Sequence, residues 1–206
     1  MKADIMSVSR LRMATDGKGI STLIAFLGCP LQCKYCINPA CHASDYELSE
    51  NHKVWYSSEE LLEVLQKDSI YYLMTGGGIV FGGGEPLMQS EFIHEVCKMA
   101  DPRWARRIET SLNCPWSNIE PVLDDMDEWI IDVKDLNRDT YLKYTGADNN
   151  QMLTNLFYLA EKVPKEKIKI RVPVIKGFNT IDDAEDSALW LMESLDLEPE
   201  IFEYTV

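Results

Sequence analysis

The stretch Cys29-Pro-Leu-Gln-Cys33-Lys-Tyr-Cys36 constrains this chain more than any other. It places three cysteines at C-x3-C-x2-C spacing, directly after the apolar run Leu23-Ile-Ala-Phe-Leu27 and Gly28. Three thiolates on one tight loop are able to hold three corners of an iron–sulfur cube. Electron-carrying [4Fe–4S] clusters use four cysteines, so three leave one iron open to a substrate or cofactor. A second chemistry fits the same residues. Cys41 follows closely, and Cys29, Cys33, Cys36 and Cys41 together would make a structural zinc site with four thiolate ligands.

The remaining sequence narrows the class. A chain of 206 residues, 46% apolar, is long enough for one domain with a real core, read here as a single domain over 1–206. No run of 18 apolar residues is present, which argues against a membrane span. The start, Met1-Lys-Ala-Asp-Ile-Met6, lacks an apolar signal core, so the expected compartment is the cytoplasm. There, six cysteines read as metal ligands or free thiols rather than a disulfide framework. A net charge of −14 without a basic stripe argues against nucleic acid as partner.

Short β-like runs alternate with helix-like runs, which predicts an α/β fold with a mainly parallel sheet. Strands are expected at about Thr22–Leu27, Ile79–Phe81, Arg107–Thr110, Trp129–Val133, Ile168–Ile175 and Glu200–Tyr204. Helices are expected from Ser57, with Glu60 completing a capping box, and from Ser90, with Phe92, Ile93, Val96 and Cys97 inward. Others are expected over Ser117–Asp125, Arg138–Tyr144, Met152–Glu161 and from Thr180 to about Leu195. Six βα units fall short of the ~250 residues typical of a closed eight-fold barrel, so a partial, open (β/α)6 barrel is expected. Active sites of parallel α/β folds lie at the C-terminal strand ends. The unusual residues fall there: the cysteines, the glycine run, Glu109, and the pair Asp132 and Lys134.

Gly82-Gly83-Gly84-Glu85-Pro86 ends a strand, where glycine lets a ligand approach the backbone closely. Glu109 and Ser111 alternate to one side of their strand. Asp132 and Lys134 share a face of theirs, and an acid beside a base inside a barrel costs desolvation unless they pair or bind a ligand. In Ile168–Val174 the alternation puts Lys169, Arg171 and Pro173 on one face, so Arg171 points inward if the apolar face packs on helices; pairing with Asp132 is the structural alternative. Cys97 reads as core, Cys41 and Cys114 stay undecided, and His42, His52 and His94 show no ligand partners.

From Thr15 to Asn179 the chain resembles the radical S-adenosylmethionine (SAM) enzymes, and among them the glycyl-radical-enzyme activating enzymes of the short, pyruvate formate-lyase activating type. The resemblance rests on the three cysteines, on Gly83-Gly84-Glu85-Pro86 preceded by Gly76-Gly77-Gly78, and on Asp132-Val133-Lys134. Thr15-Asp-Gly-Lys-Gly-Ile-Ser21 is similar to the family's Thr-x-Asp-Gly-Pro-Gly-x-Arg, with Lys18 and Ser21 as departures. Glu109-Thr-Ser111-Leu stands where the family has Asp-Thr-Asn-Gly, and Arg171-Val-Pro173 begins a stretch similar to its Arg-x-Pro-x-Ile-Pro-Gly-x-Asn.

The resemblance implies a [4Fe–4S] cluster on Cys29, Cys33 and Cys36. It implies SAM held by Tyr35, Cys36, Ile37, Gly83, Gly84, Glu85, Glu109, Ser111, Asp132, Val133, Lys134 and Arg171, with a monovalent cation near Glu109. Lys134 and Arg171 take catalytic roles. A flavodoxin or ferredoxin supplies the electron, and the substrate is a glycine of a partner glycyl radical enzyme; the chain is expected to be a monomer. Alternatives are a radical SAM enzyme for a small molecule or for anaerobic ribonucleotide reductase, and a non-catalytic zinc or iron–sulfur interaction protein. Between Cys36 and Gly82 Cys41 is the single cysteine, so no ferredoxin-like insert is expected. No His follows His94, so the family's C-terminal His loop is expected to be missing and the barrel open beside its last strand.

Overall fold

The computed structural model of the chain describes residues 1–13, 15–43 and 55–204. Its residues group into two compact units. The first comprises Met1–Cys29, Asn38–Glu109 and Ser117–Glu128, and the second Pro30–Ile37, Thr110–Trp116 and Trp129–Val206.

In the first unit, strands β2 (Ile20–Phe26), β4 (Gly78–Gly83) and β5 (Ala105–Thr110) run parallel, in that order. β2 and β4 are buried on both faces, as near-continuous apolar runs in a parallel sheet should be. On the far side of β2, β1 (Lys2–Met13) pairs antiparallel with it, and β3 (Trp55–Ser57) pairs antiparallel with β1. Sequence reading assigned neither. β1 carries only two buried residues, Ala3 and Ile5, and interleaves them with polar ones, so no apolar run marks it.

Helix α1 (Ser58–Gln66) has the capping box expected of Ser57 and Glu60, and buries Leu61, Leu62 and Leu65. Helix α2 (Ser69–Thr75) was not anticipated; it ends at Gly76, whose φ of 69° is the left-handed cap that glycine tolerates. Helix α3 (Ser90–Met99) buries Phe92, Ile93, Val96 and Cys97 as expected. Ser90 is its first residue rather than its cap, because the 3-10 turn Pro86–Gln89 leads straight in. The core is closed by Phe26 against Phe81 and Phe92, with ring centroids 6.3 and 6.2 Å apart.

The helix expected over Ser117–Asp125 is broken. A four-residue turn α4 (Trp116–Ile119) gives way to a 3-10 segment, Glu120–Val122, where Pro121 has no N–H to continue an α-helix. Asp125 beyond it is buried and meets His94 Nδ1 at 2.6 Å, a partnership the sequence did not suggest. His52 lies outside the described residues.

In the second unit, β6 (Glu128–Asp132), β7 (Ile168–Val174) and β8 (Glu200–Glu203) run parallel in that order. Helices α5 (Arg138–Thr145), α6 (Asn150–Lys162) and α7 (Ile181–Leu195) complete the α/β pattern. Thr180 opens α7 with a capping box to Asp183. The six strands read from sequence are the six parallel ones. The alternation of β7 fails at its end, where Pro173 is buried and Val174 half-buried: the Pro173 carbonyl takes a hydrogen bond from Asn179 in the following turn.

Candidate functional site

The first unit carries Cys29, the glycine run and Glu109. Gly28, at φ 84°, lies two residues past the end of β2 and leads to Cys29. Its N–H donates to the Cys41 carbonyl (2.8 Å), and its own carbonyl accepts from Glu85 N–H (2.8 Å). The Gly84 N–H in turn donates to the Phe26 carbonyl at 2.9 Å. Glycine is required at this crossing: a Cβ on Gly84 would stand 2.2 Å from the Gly28 oxygen. On Gly83, at φ 93°, it would stand 2.7 Å from Ala25 Cα. Asn38 Nδ2 donates to the Gly83 carbonyl at 3.3 Å.

Glu85 is 1% exposed, and its Oε1 accepts from Leu87 N–H at 3.3 Å, which caps the 3-10 turn. The carboxylate thus shapes the loop that presents the glycine backbone. Glu109 is half-buried, its Oε2 close to Gly82, and its charge helps raise the Arg12 guanidinium after the larger effect of Asp16 on it. Asp16, in the Thr15–Ser21 segment, is buried; Arg12 and Ser21 bind it. Cys41 and Cys97 are buried here.

The second unit carries Cys33, Tyr35, Cys36 and Ile37 on one loop, and brings Asp132 and Lys134, at the C-terminal end of β6, against Arg171 in the middle of β7. Lys134 Nζ donates to Asp132 Oδ2 at 3.0 Å, and Arg171 Nε to Asp132 Oδ1 at 2.7 Å. Burial alone would push the Asp132 carboxyl up; Lys134 and Arg171 outweigh it and hold it below its ordinary value. Burial would likewise lower the Lys134 ammonium, yet Asp132, and then Cys33, raise it. One carboxylate between two cations leaves a net positive charge beside the Cys33 thiol. Val133, on the opposite face, is fully buried, and its N–H donates to the Arg171 carbonyl at 3.0 Å.

Burial pushes the Cys33 thiol up, and Lys134 opposes it. Cys29, Cys33 and Cys36 are half-buried and none is in a disulfide. Cys33 and Cys36 are partly accessible thiols on one loop, and Lys134 opposes the effect of burial on Cys33, so as soft sulfur donors these residues fit a thiolate-held cluster. The Tyr35 ring packs edge-on against Phe178 at 5.7 Å, and Tyr144 does so at 5.0 Å. Ile37 is 77% exposed.

Ser111 is buried, and its Oγ accepts from Asn113 N–H at 3.3 Å. The next residue, Leu112, has φ 55°, a left-handed conformation at the place where the resembled motif has glycine. Sequence reading missed what holds it. Asn155, fully buried on α6, donates to the carbonyls of Leu112 and Cys114 at 2.8 and 2.7 Å. A buried Asn amid the apolar face of a helix was the available signal. Sequence reading also missed Tyr204, whose hydroxyl reaches the Tyr35 carbonyl.

Comparisons with known proteins agree with this chemistry. The radical SAM superfamily model matches residues 23–191. The choline trimethylamine-lyase activating enzyme of Oleidesulfovibrio alaskensis is 30% identical, over 94% of this chain and 78% of that protein. The 4-hydroxyphenylacetate decarboxylase activating enzyme of Clostridioides difficile is 28% identical, over 82% and 71%. Among solved structures, a domain of pyruvate-formate lyase-activating enzyme from Bacteroides vulgatus aligns with a TM-score of 0.51 and 29% identity, over 61% of this chain and 78% of that one. Streptococcus suis SuiB, at 12% identity, shares the fold with a TM-score of 0.65, over 89% of this chain and 38% of that one. The chain belongs to the radical SAM superfamily and, within it, to the activating enzymes of glycyl radical enzymes.

Proposed function

We propose that this protein activates a partner glycyl radical enzyme by taking a hydrogen atom from one backbone glycine of that partner. Family membership implies a [4Fe–4S] cluster and SAM. A cluster held by Cys29, Cys33 and Cys36 would supply the electron for reductive cleavage of SAM to methionine, and SAM would supply the 5′-deoxyadenosyl group that accepts the hydrogen atom. The rest is the work of this chain. The C-x3-C-x2-C loop supplies the thiolates. The strand-end backbone of Gly83 and Gly84, shaped by Glu85, would hold the amino-acid part of SAM, Glu109 and Ser111 would hold its ribose, and a monovalent cation would sit near Glu109. Tyr35 would lie beside the adenine, and Ile37 would belong to the same SAM-binding loop.

Asp132, Lys134 and Arg171 are the observation that carries the reading. A half-buried acid at the end of β6, bridged by Lys134 and by Arg171 of the neighbouring strand, keeps three charges partly out of water. It presents a cationic, hydrogen-bonding surface suited to a carboxylate, and a mere interaction module has no use for it. Lys134 and Arg171 would hold and orient SAM through charge and hydrogen bonds; positioning and exclusion of water are the protein's share of such catalysis. The electron comes from a flavodoxin or ferredoxin, and the enzyme acts as a monomer in the cytoplasm. Among the described residues no helix is long and apolar enough to cross a membrane.

The test is anaerobic incubation of reduced, cluster-loaded protein with SAM and candidate lyases or decarboxylases of the kind the relatives activate. A doublet glycyl radical signal by electron spin resonance, with methionine and 5′-deoxyadenosine released, is expected. SAM cleavage without a glycyl signal on any such partner would move the substrate to a small molecule.

A further inference from the structure

The loop 30–37, which carries Cys33 and Cys36, is tied to its unit at a few points. The Gln32 N–H donates to the Thr145 carbonyl at 2.7 Å and the Lys34 N–H to the Tyr144 carbonyl at 3.0 Å. Both ties lie before Tyr35. On the Cys36 side, the Tyr35 carbonyl accepts the Tyr204 hydroxyl at 2.7 Å, a bond spanning 169 residues of sequence. Tyr204 follows β8, and its N–H donates to the Val174 carbonyl at 3.0 Å, so the phenol is mounted on the sheet. The Tyr35 ring is already placed by Phe178. The Tyr204 hydroxyl acts instead on the loop backbone.

We propose that Tyr204 is a positioning residue for the cluster loop, its hydroxyl fixing the Tyr35 carbonyl and, through it, the orientation of Cys36. This rests on the reading of Cys33 and Cys36 as cluster ligands. The Tyr35 carbonyl and the Cys36 nitrogen belong to one planar peptide unit, so an oxygen held in place holds the start of the next residue. The 2.7 Å separation is the preferred length for an O–H···O bond, and such a bond is of the kind that removes freedom from a loop. Cys36 thereby presents its thiol in one direction, which an iron ligand needs and a packing residue does not.

The experiment compares the parent with Tyr204→Phe, which removes the hydroxyl alone, and Tyr204→Ala, which also removes the ring. Two measurements are made on each. Hydrogen exchange of the peptide covering 30–37 in the iron-free protein reads the latch without any cluster. The electron spin resonance spectrum of the reduced cluster, with the rate of iron loss to a chelator, reads Cys36. In Tyr204→Phe the loop amides are expected to exchange about fivefold faster, the change that one hydrogen bond of ~1 kcal/mol gives. The spectrum should broaden or shift and iron should leave faster, while thermal unfolding stays close to the parent. Parent-like exchange, spectrum and iron loss in Tyr204→Phe overturn the proposal, whatever Tyr204→Ala does. If the parent itself takes up no cluster, the functional reading falls, and the exchange data still decide whether the latch exists.

Discussion

Arg12 holds Asp16 through two guanidinium nitrogens at once, its NH2 lying 2.7 Å from Oδ1 and its Nε bonding Oδ2. Asp16 belongs to a segment that resembles a family motif ending in Arg, where this chain has Ser21. Ser21 Oγ donates to Asp16 at 3.2 Å. The guanidinium thus comes from β1, beside an irregularity in its pairing with β2 at Ser9/Arg12. Burial would push the Asp16 carboxyl up; Arg12 holds it below its ordinary value.

Arg12→Ala is therefore expected to strand a nearly buried carboxylate. The cost should be about 1–3 kcal/mol, the penalty of an unsatisfied buried polar group. Urea unfolding at neutral pH measures it. Because the folded-state pKa of Asp16 is lowered, the stability it confers is present above the ordinary value of 3.8 and is lost as pH falls below it. Parent and variant should converge under acid, and a gap that persists there points to lost packing instead.

Cys29→Ala, Cys33→Ala and Cys36→Ala should each abolish both the cluster and SAM cleavage, while Cys41→Ala should abolish neither. Iron and sulfide content of the four proteins decides it. Loss of the cluster in the Cys41 variant alone would reassign the ligands.

Asp132→Asn and Lys134→Ala should keep the iron but weaken SAM binding or cleavage, with about tenfold weaker affinity as the scale of one lost charge-assisted hydrogen bond. The pair also fixes a pH window. Asp132, lowered, contributes above 3.8 and is lost as pH falls; Lys134, raised, contributes below 10.5 and is lost as pH rises past its folded value. SAM affinity of the parent should be flat between those limits as far as this pair governs it. Parent-like SAM cleavage in both variants would make the pair purely structural.

Leu112 poses a contest between two energies. Its left-handed backbone costs about 1–2 kcal/mol, which glycine would recover. Its fully buried side chain is worth about 2–5 kcal/mol against truncation. Leu112→Gly is thus expected to lower stability by a net ~1–3 kcal/mol. Asn155→Ala, which deprives two buried carbonyls of a donor, should also lower it, by about 1–3 kcal/mol. Denaturant midpoints check both, and a more stable Leu112→Gly protein would show that strain dominates.

β2, β4 and β6 were legible as apolar runs, β7 by its alternation and β5 and β8 as short runs between turn residues, and the helices with polar caps, such as α1 and α7, were legible at their starts. β1 was not. It borrows its pairing from β2 and buries too little of its own surface to leave a pattern. The break at Pro121 was visible as a proline, but its position in the early turns allowed either outcome. At the candidate site, local geometry could be read: the tight glycine turn at Gly83 and Gly84 and the pairing of Asp132 with Lys134. Residues that act at a distance could not. Arg12 on Asp16, Asn155 on Leu112 and Tyr204 on Tyr35 are meetings that tertiary packing alone creates.

The first half of the cysteine loop hangs from carbonyls of Tyr144 and Thr145 at the end of α5, through the N–H groups of Gln32 and Lys34. These are main-chain atoms on both sides, so the attachment is indifferent to which side chains stand at positions 32 and 34. Those two positions are open to drift: a lineage is able to recolour the loop's outer surface, in charge or bulk, without moving Cys33. The opposite holds at Gly146, whose φ of 74° turns the chain away directly after those carbonyls. A β-branched residue there would tilt the end of the helix and carry the loop with it. Variation suited to new protein partners thus has room beside the cysteines, and the constraint that keeps the thiol in place falls on a glycine more than a hundred residues further along the chain.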